Sequence, residues 1–242
     1  MTIERRPVAE DMFVNPALHA LHTRQRRFAR FVGNACKYET DVAPFAAVAV
    51  REAGAMRELH SLLAPGETVY MMGAEPLVVP GLAFEGTLAG VQMMYSEGAD
   101  VPQTTAPADG LPAFKLLKLS CENAAEMVAL TEVAFPGYFR IRTCEMGLYY
   151  GVRVEGRLVA MAGERMAFDR YKEISGVCTH PEHTGKGYAG ALITRLLEDH
   201  RRDGWLSCLH TDAANRRAIA LYERLGFVVS REVAFHRVVK DG

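Results

Sequence analysis

A glycine-rich stretch, HPEHTGKGYAG at residues 180–190, has the composition of a loop that binds phosphate groups. Gly185, Gly187 and Gly190 would let the backbone approach a phosphate closely, because glycine has no Cβ to block it. The residues that follow carry apolar side chains at three-to-four spacing and predict a helix. The N-terminus of a helix attracts anions through its free N–H groups and its dipole. The question is which phosphate-containing molecule this loop would bind.

Two common phosphate-binding patterns fit this stretch poorly or only in part. A nucleoside-triphosphate loop needs a hydroxyl residue after its Gly-Lys pair, but Gly187 follows Lys186 here. The three glycines do spell G-x-G-x-x-G, the dinucleotide pattern, and Asp212 ends the next predicted strand, near where a ribose-binding acid would lie. However, residues 180–184 separate the preceding strand from the first glycine, and too few residues follow for the remaining strand–helix units. The dinucleotide interpretation is therefore the weaker one and stays as an alternative.

The stretch VCTHPEHTGKGYAGALI, followed by NRRAIALYERLGF, resembles the GNAT acetyltransferase superfamily. The family's loop pattern, (Arg/Gln)-x-x-Gly-x-(Gly/Ala), falls on residues 184–189. Thr184 departs from it, because the family usually has Arg or Gln at this position. A threonine offers a hydroxyl and no charge, so Lys186 would have to supply the missing positive charge.

The second family pattern lies in the next helix and its end. It matches Asn215, Ala218, Tyr222 and the Gly226-Phe227 pair. The resemblance covers about residues 115–240 and is closest to the branch that includes glycine N-acyltransferase-like proteins. Both patterns occur in order and at the separation that the family shows.

The resemblance implies an acyl-CoA cosubstrate, acetyl-CoA or a related thioester, and direct acyl transfer to an amine in a ternary complex. The strand before the loop would separate from its neighbour and pair its backbone with the pantetheine arm, and the N–H of Cys178 would face the thioester oxygen. One cofactor site is expected, and no metal. The residues expected to bind the cofactor are Val177, Cys178, Thr179, Thr184, Gly185, Lys186, Gly187, Tyr188, Ala189, Gly190 and Asn215.

Three side chains are candidates for the proton transfers. Tyr222 matches the family's general acid, since a phenol with a pKa of about 10 is protonated at pH 7 and can donate to the departing thiolate. Glu173 and Glu164 are candidates for the general base, although each also fits a solvated surface carboxylate, and a chain of water molecules is the third possibility. Cys178 has no acid–base partner nearby in sequence, which favours a buried structural thiol over a covalent acyl-enzyme. Asn215 also fits the N-cap of its helix.

Two further groups of polar residues could have a functional role or could be ordinary surface residues. His180, Glu182 and His183, with His210 and Asp212, are metal-ligand types, but they lack the spacing of a structural zinc site, so no metal is predicted. The stretch GYFRIRTCEMG, residues 137–147, would line the acceptor side by resemblance. Its two arginines, Arg140 and Arg142, indicate an acceptor that carries a carboxylate, such as an amino acid, although exposed arginines are also common without such a role.

The elements that must position these residues alternate between strands and helices, which predicts a mixed α/β sheet. By resemblance this is the GNAT fold, a mostly antiparallel sheet flanked by helices. The predicted strands lie at residues 114–120, 172–179, 205–211 and within 227–239, a hairpin turns at Glu155-Gly156, and the helices lie at 123–135, 187–204 and 215–226.

The N-terminal part is harder to interpret. Helices are predicted at 17–33 and 53–63, and strands at 44–50 and 67–73. GLAFEGTLAGVQMMY aligns with GVRVEGRLVAMAGER as a second hairpin, which indicates either an internal repeat or two hairpins that coincide by chance. A Pro- and Gly-rich stretch divides the chain into domains at 1–100 and 113–242, with a linker at 101–112. The first domain is predicted to be a degenerate GNAT-like half that shapes the acceptor cleft or packs as a pseudo-dimer partner.

Composition limits the classes of partner. A formal net charge of −1 over 242 residues gives no bulk attraction for nucleic acid. No apolar run is long enough to span a membrane, and the first residues lack the apolar core of a signal peptide. Five cysteines without a C-x-x-C pair predict reduced thiols and a cytoplasmic protein. We expect a small-molecule or peptide amine as acceptor and a monomer or homodimer. The alternative is a catalytically silent acyl-CoA sensor or interaction module.

Overall fold

The computed structural model describes residues 12–96 and 114–242. The chain divides into two compact units, the first comprising Met1–Glu39, Pro44–Ala89 and Val233–Gly242, and the second Thr40–Ala43 and Gly90–Glu232. The sequence placed a boundary near residue 100. In the structure the C-terminal residues join the first unit, because they pair with one of its strands. The predicted linker at 101–112 lies outside the described residues.

In its described residues, the first unit is a sheet with two α-helices. Its elements are α1 (Pro16–His22), β1 (Ala29–Val32), β2 (Ala35–Tyr38), β3 (Phe45–Val48), α2 (Ala53–Leu62), β4 (Thr68–Met72), the first part of β5 (Leu82–Tyr95) and the last part of β11 (Phe227–Lys240). The strand order is β1-β2-β3-β4-β11-β5. Helix α2 places Met56 and Leu59 on one face, where they pack against Val69 and Met71 of β4. This confirms the predicted helix at 53–63 and the strands at 44–50 and 67–73.

Two predictions for the N-terminal part are wrong. The helix predicted at 17–33 is only α1, followed by a short 3-10 turn and then β1, in which Phe31 pairs with Cys36 of β2. The hairpin predicted at 81–95 is the single strand β5, although Gly86 takes a positive φ of 115°. Because Glu155-Gly156 does form a hairpin turn, the aligned segments differ in structure, and the proposed repeat loses its main support.

The second unit has the predicted alternation of strands and helices. Its elements are the last part of β5, β6 (Leu117–Leu119), α3 (Ala124–Ala134), β7 (Tyr149–Val154), β8 (Arg157–Phe168), β9 (Tyr171–Thr179), α4 (Tyr188–Arg202), β10 (Leu206–Asp212), α5 (Arg216–Arg224) and the first part of β11. The strand order is β11-β5-β10-β9-β8-β7-β6. The β9–β10 pair is parallel, whereas β6–β7, β7–β8, β8–β9 and β5–β10 are antiparallel. This confirms the prediction of an α/β fold with a mixed, mostly antiparallel sheet flanked by helices.

Two apolar clusters pack against the sheet of the second unit. Leu192 and Leu196 of α4 belong to one cluster together with Ile174 of β9. Met127 and Leu130 of α3 belong to the other, which also contains Cys178. The two helices therefore cover the sheet with separate cores, and both cores include residues of β9.

The expectation of reduced thiols throughout is wrong for one pair of cysteines. Cys121 and Cys144 form a disulfide, which links the start of the segment before α3 to the 3-10 turn Thr143–Met146. Cys36, Cys178 and Cys208 are free and buried. Within the described residues, no helix is both long and apolar enough to cross a membrane.

Candidate active site

The parallel strands β9 and β10 separate part of the way along their length. Their pairs run from Tyr171 opposite Leu206 to Ile174 opposite Leu209, and within the described residues no further pair joins them. Beyond this point β9 stays on β8 and β10 stays on β5. The side chain of His210 is 1% exposed, yet the residue as a whole is half-buried, so its exposed atoms belong mainly to the backbone. The facing edges of the two strands are therefore open.

A β-bulge in β9 lies at the point of separation. Gly163 of β8 pairs with Ser175, but Met161 pairs with Cys178, so β9 contains one extra residue between these pairs. Gly176 in the bulge has a φ of 62°, a conformation that glycine adopts without strain. A bulge bends its strand and increases the twist, which gives a local cause for the separation.

The bulge also reverses which core the side chains of β9 face. Ile174 and Cys178 are four residues apart and would share a face in a regular strand, but they lie in different apolar clusters. The thiol of Cys178 is buried, and burial raises its pKa to about 12, so it is neutral at pH 7. These facts agree with a structural thiol rather than a nucleophile.

The hydrogen bonds of β9 direct the amide of Cys178 away from the open edge. The N–H of His180 donates to the carbonyl of Val159 on β8 at 2.8 Å. Successive N–H groups of a strand point to opposite sides, so the N–H of Cys178 also faces β8 and that of Thr179 faces the open edge. The amide that faces the open edge is therefore that of Thr179, whereas the sequence resemblance predicted that the Cys178 amide would meet a thioester oxygen.

The loop after β9 is shaped by its glycines. Gly185 and Gly187 have φ values of 80° and 79°, and a Cβ on either would meet no atom within 4 Å. Gly187 is the N-cap of α4 and supplies no capping side chain. The first N–H groups of a helix have no partner within the helix, so those of α4 are available to an anion that enters the open space over these glycines.

The side chains of the loop contribute less than its backbone. The Thr184 hydroxyl donates to the carbonyl of Pro181 at 3.1 Å, so its proton is already used. The Lys186 ammonium lies 3.3 Å from Nδ1 of His183 and is the cation nearest to the two glycines in sequence. Tyr188 is buried, and its ring packs edge-on against Phe114 at 4.8 Å, so only its backbone can reach a ligand of the loop.

Helix α5 carries the two remaining matched residues. Asn215 is its N-cap and accepts a hydrogen bond from the N–H of Ala218 at 3.1 Å, as predicted. Tyr222 is 7% exposed and packs against Phe227 with ring centroids 6.1 Å apart. Burial raises the pKa of Tyr222 to about 12. Among the described residues its hydroxyl has no hydrogen-bond partner, so it can donate to a bound ligand.

Glu173 is fully buried in a network of charges, not a solvated carboxylate. Arg165 contacts both of its oxygens, at 2.9 and 2.5 Å, and Nδ1 of His210 lies 2.7 Å from Oε1. Burial would raise the pKa of Glu173, but the charges and hydrogen bonds of Arg165 and His210 outweigh it and hold the pKa well below its usual range. Nε2 of His210 lies 2.9 Å from the amide nitrogen of Gln92.

Glu164 lies in a second buried network. One of its oxygens is 3.1 Å from Nε2 of His200, and Lys172 approaches to 3.0 Å. His200 Nδ1 is in turn 2.7 Å from the Ser207 hydroxyl. Burial would raise the pKa of Glu164, but the hydrogen bond to His200 and the charges of His200 and Lys172 lower it. The interpretation of Glu164 as a surface carboxylate is therefore also wrong.

Sequence reasoning missed most partners in these two networks. The missed partners are polar residues within strands and helices that are otherwise largely apolar: Arg165, Gln92, His200 and Ser207. A polar side chain at such a position was the sequence signal that could have identified them. His210 was noted only as a metal-ligand type. Which of these residues meet depends on strand register, and the sequence does not state the register.

The structure brings His180, Glu182 and His183 close together. Each offers one ligand atom, and these atoms all lie within 4.8 Å of one another. His180 Nδ1 also accepts from the N–H of Glu182 at 3.4 Å. His210, by contrast, is part of the Glu173 network, and Asp212 accepts from the N–H of Ala214. The five predicted metal-ligand types therefore do not form one group.

Residues 137–147, which we call the acceptor segment, contact both β9 and Glu164. Phe139 is buried, and its ring lies 3.9 Å from the position of a Cβ on Gly176, next to the bulge. At the other end, a Cβ on Gly147 would collide with the carboxylate of Glu164. The acceptor segment is thus packed against the strand whose edge is open.

The open strand pair, the glycine loop and the N-terminus of α4 follow one another in the order that the resemblance to the GNAT family implies. Residues 117–227 match the model of the acetyltransferase (GNAT) family. The crystal structure of a protein described as an acetyltransferase of the GNAT family, from Novosphingobium aromaticivorans, is 31% identical, with a TM-score of 0.82 over 96% of this chain and 100% of that chain. The chain therefore belongs to the GNAT acetyltransferase family.

Two curated enzymes are similar to a shorter part of the chain. The L-methionine sulfoximine/L-methionine sulfone acetyltransferase of Salmonella typhimurium is 34% identical over 77 residues. An L-amino acid N-acyltransferase of Escherichia coli is 30% identical over 77 residues. Each match covers 31% of this chain and 45% of the relative, so less than half the length of these relatives is matched.

Proposed function

We propose that this protein transfers an acetyl group from acetyl-CoA to the amine of a small molecule that carries a carboxylate. The observation that supports it most is the separation of β9 from β10 beyond Ile174 and Leu209, beside the open glycine loop. Open strand edges offer hydrogen bonds to an extended chain of amides, and a helix N-terminus binds a phosphate. The pantetheine arm and pyrophosphate of coenzyme A combine these two requirements.

We assign the cofactor contacts along this path. In the proposed complex, β9 binds the pantetheine arm along residues Val177 to Thr179. The Thr179 amide is the donor on the open side. Cys178 lies within this stretch, and its own amide faces β8. The loop from Thr184 to Gly190 binds the pyrophosphate through backbone N–H groups, with Lys186 adding charge. Asn215 lies on the cofactor side at the start of α5.

The chemistry is a direct attack of the neutral amine on the thioester carbon. The new C–N bond forms a tetrahedral intermediate, the C–S bond then breaks, and the thiolate of coenzyme A leaves. We assign Tyr222 as the donor to this sulfur. Its pKa of about 12 lies above that of an ordinary thiol at about 8.5, so complete proton transfer to the thiolate is uphill in the free protein. The main contribution of Tyr222 is then a hydrogen bond to the developing anion, worth roughly 1.5–3 kcal/mol.

The amine proton leaves through water in this mechanism. Glu173 and Glu164, the predicted bases, have lowered pKa values and are weak proton acceptors at pH 7. Glu173 instead positions His210 through its short contact with Nδ1, and its own charge is balanced by Arg165. Glu164 supports the acceptor segment at Gly147.

The acceptor class rests on the curated relatives. Their names describe action on L-amino acids and on methionine derivatives, all of which carry an amine and a carboxylate. We therefore favour a small amino-acid-like acceptor over a peptide. The glycine N-acyltransferase-like branch, the GNAT-like origin of the N-terminal half and a monomeric or homodimeric state stay predictions. A cytoplasmic location also stays a prediction, and the Cys121–Cys144 disulfide counts against it.

One observation favours a second function, a silent acyl-CoA sensor. Thr184 replaces the usual Arg or Gln, and its hydroxyl proton is held by Pro181. This leaves fewer donors for the pyrophosphate. A sensor would bind acetyl-CoA without transferring its acetyl group to any amine.

The first experiment is a thermal-shift titration with acetyl-CoA, free coenzyme A and NAD. A ligand that binds only the folded state raises the melting temperature with its concentration. We expect stabilisation by both CoA species and none by NAD; stabilisation by NAD alone would restore the dinucleotide alternative. Release of the coenzyme A thiol is then measured with L-amino acids present. Binding without acceptor-dependent thiol release would favour the sensor, and no binding of any CoA species would contradict both functions.

A further inference from the structure

The two arginines of the acceptor segment have different surroundings. The Arg142 guanidinium donates to both oxygens of Glu145, at 2.8 and 2.9 Å, and to the carboxylate of Asp41 at 3.2 Å. Its backbone N–H also donates to the carbonyl of Asp41 at 2.9 Å. Arg142 therefore holds the segment in place, and its charge is already balanced by two carboxylates.

Arg140 has a fixed backbone and an unpaired side chain. Its N–H donates to the Thr143 hydroxyl at 2.8 Å, and that hydroxyl donates to the carbonyl of Val42 at 2.6 Å. The residue is half-buried, yet in residues 12–96 and 114–242 its guanidinium has neither an ion-pair partner nor a hydrogen-bond acceptor. A guanidinium presents five donors in a planar fork, which matches the two oxygens of a carboxylate.

The neighbouring residue ties Arg140 to the open strand edge. Phe139 packs edge-on against Tyr149 with ring centroids 5.6 Å apart, and its ring lies beside the bulge at Gly176. The Cα of Arg140 is one residue from this anchor, about 3.8 Å along the chain. The backbone at Arg140 is thus anchored beside the strand that we assign to the thioester, through the neighbouring Phe139.

We propose that Arg140 binds the carboxylate of the acceptor, so that the acceptors are amino acids with a free carboxylate and a nearby free amine. The proposal rests on the proposed acetyl transfer and makes it more specific. Arg142, which the sequence could not distinguish from Arg140, has a structural role. The N–H groups of the Arg140 guanidinium would donate to the two oxygens of the acceptor carboxylate and so orient the acceptor amine.

The test compares acceptors that differ only in the carboxylate. Thiol release is measured with free L-amino acids, L-methionine among them, and with the corresponding primary amides. For the wild-type protein we expect kcat/KM to be roughly 10- to 100-fold higher for the acids, the range for a hydrogen bond to a charged group. Arg140→Gln should raise KM for the acids by a similar factor, change kcat little, and leave the amides within about twofold.

Arg142→Gln is the matched control, because it removes the same charge two residues away. It should lower the melting temperature through loss of the Glu145 and Asp41 contacts, while the preference for acid over amide persists. Arg140→Lys should restore part of the preference. Equal use of acids and amides by the wild type, or an equal loss for both in Arg140→Gln, would overturn the proposal while leaving acetyl transfer intact.

A binding measurement covers the case in which no acceptor turns over. The protein saturated with coenzyme A is titrated with N-acetyl-L-methionine and with its amide, and the melting temperature is followed. Stabilisation by the acid in the wild type, lost in Arg140→Gln but kept in Arg142→Gln, supports the assignment. Stabilisation of Arg140→Gln equal to that of the wild type, or none in the wild type, refutes it. Failure of the proposed function itself would appear separately, as no response to coenzyme A.

Discussion

The two sides of the candidate site are built in different ways. The cofactor segment, residues 176–190, presents mainly backbone: a bulge at Gly176, two glycines with positive φ and the first N–H groups of α4. The acceptor segment, residues 137–147, presents side chains, and contacts far along the chain hold it, such as that between Thr143 and Val42.

This difference shows which part of the site can vary. A backbone surface tolerates changes of side chain but not changes that add a Cβ or a charge over the glycines. The acceptor segment is fixed by Arg142, Thr143 and the Cys121–Cys144 disulfide, and it carries Arg140 as a free group. Substitutions should therefore separate cofactor binding from acceptor binding.

The largest effect is expected for Gly187→Glu. A side chain at a φ of 79° is strained, and the added carboxylate would lie where the pyrophosphate is expected, so acetyl-CoA affinity should fall by at least about 100-fold. Isothermal titration calorimetry measures this loss. Gly156→Glu is the control, since Gly156 has a φ of 80° and equally open space in the β7–β8 turn. It should cost similar stability and leave affinity unchanged; retained binding in Gly187→Glu would mean the phosphates lie elsewhere.

Glu173→Gln tests the buried network near the start of β9. Removing one partner of a buried ion pair leaves Arg165 and His210 uncompensated and should cost about 3–5 kcal/mol in unfolding free energy, measured with denaturant at pH 7. The exposed Glu223→Gln should cost less than about 0.5 kcal/mol.

The pH dependence sharpens the same test. The folded-state pKa of Glu173 is lowered, so its stabilising contribution is complete above the unfolded pKa of about 4.3 and is lost as the pH falls through the lower value. Above about pH 5 the Glu173 carboxylate stays ionised and adds no slope to the stability. The rate profile gives a further check. A group that must be deprotonated for activity, with a pKa near 7, and that disappears from the profile in Glu173→Gln would identify Glu173 as the general base.

Reduction of the disulfide should act on the acceptor side alone. Cys121 and Cys144 are 23 residues apart, for which chain entropy gives about 3 kcal/mol of stabilisation. Reductant should lower the melting temperature and raise KM for the amine without changing acetyl-CoA affinity, and the double serine variant should not respond. Alkylation of the denatured, unreduced protein should label Cys36, Cys178 and Cys208. Labelling of all five cysteines would contradict the disulfide.

The smallest effect is expected for Tyr222→Phe. Loss of a hydrogen bond to the thiolate should lower kcat by roughly 10- to 100-fold and leave acetyl-CoA affinity unchanged. Tyr150→Phe is the matched control, because Tyr150 is also 7% exposed but donates to Asp199 at 2.6 Å. It should cost stability and not turnover. An unchanged kcat in Tyr222→Phe would remove Tyr222 as the donor.

The sequence predicted the parts of the site that local interactions determine. The glycine loop, α4, the Asn215 cap and α5 lie close to where the patterns placed them, because glycine φ preferences, capping and helical spacing act over a few residues. Two glutamate–glycine pairs show the limit of this reasoning. Glu155-Gly156 turns a hairpin, whereas Glu85-Gly86 lies inside β5.

Tertiary structure decided which charged side chains of the site are paired and which are free. Arg140 and Arg142 are equivalent in sequence, and only the positions of Asp41 and Glu145 leave one free and the other paired. The same holds for Glu173, which is ionised and buried because Arg165 and His210 reach it from neighbouring strands. The residue types and the glycine loop that we propose for phosphate binding follow from the sequence itself. Which charges are paired depends on strand register and packing between distant residues, which no local pattern encodes.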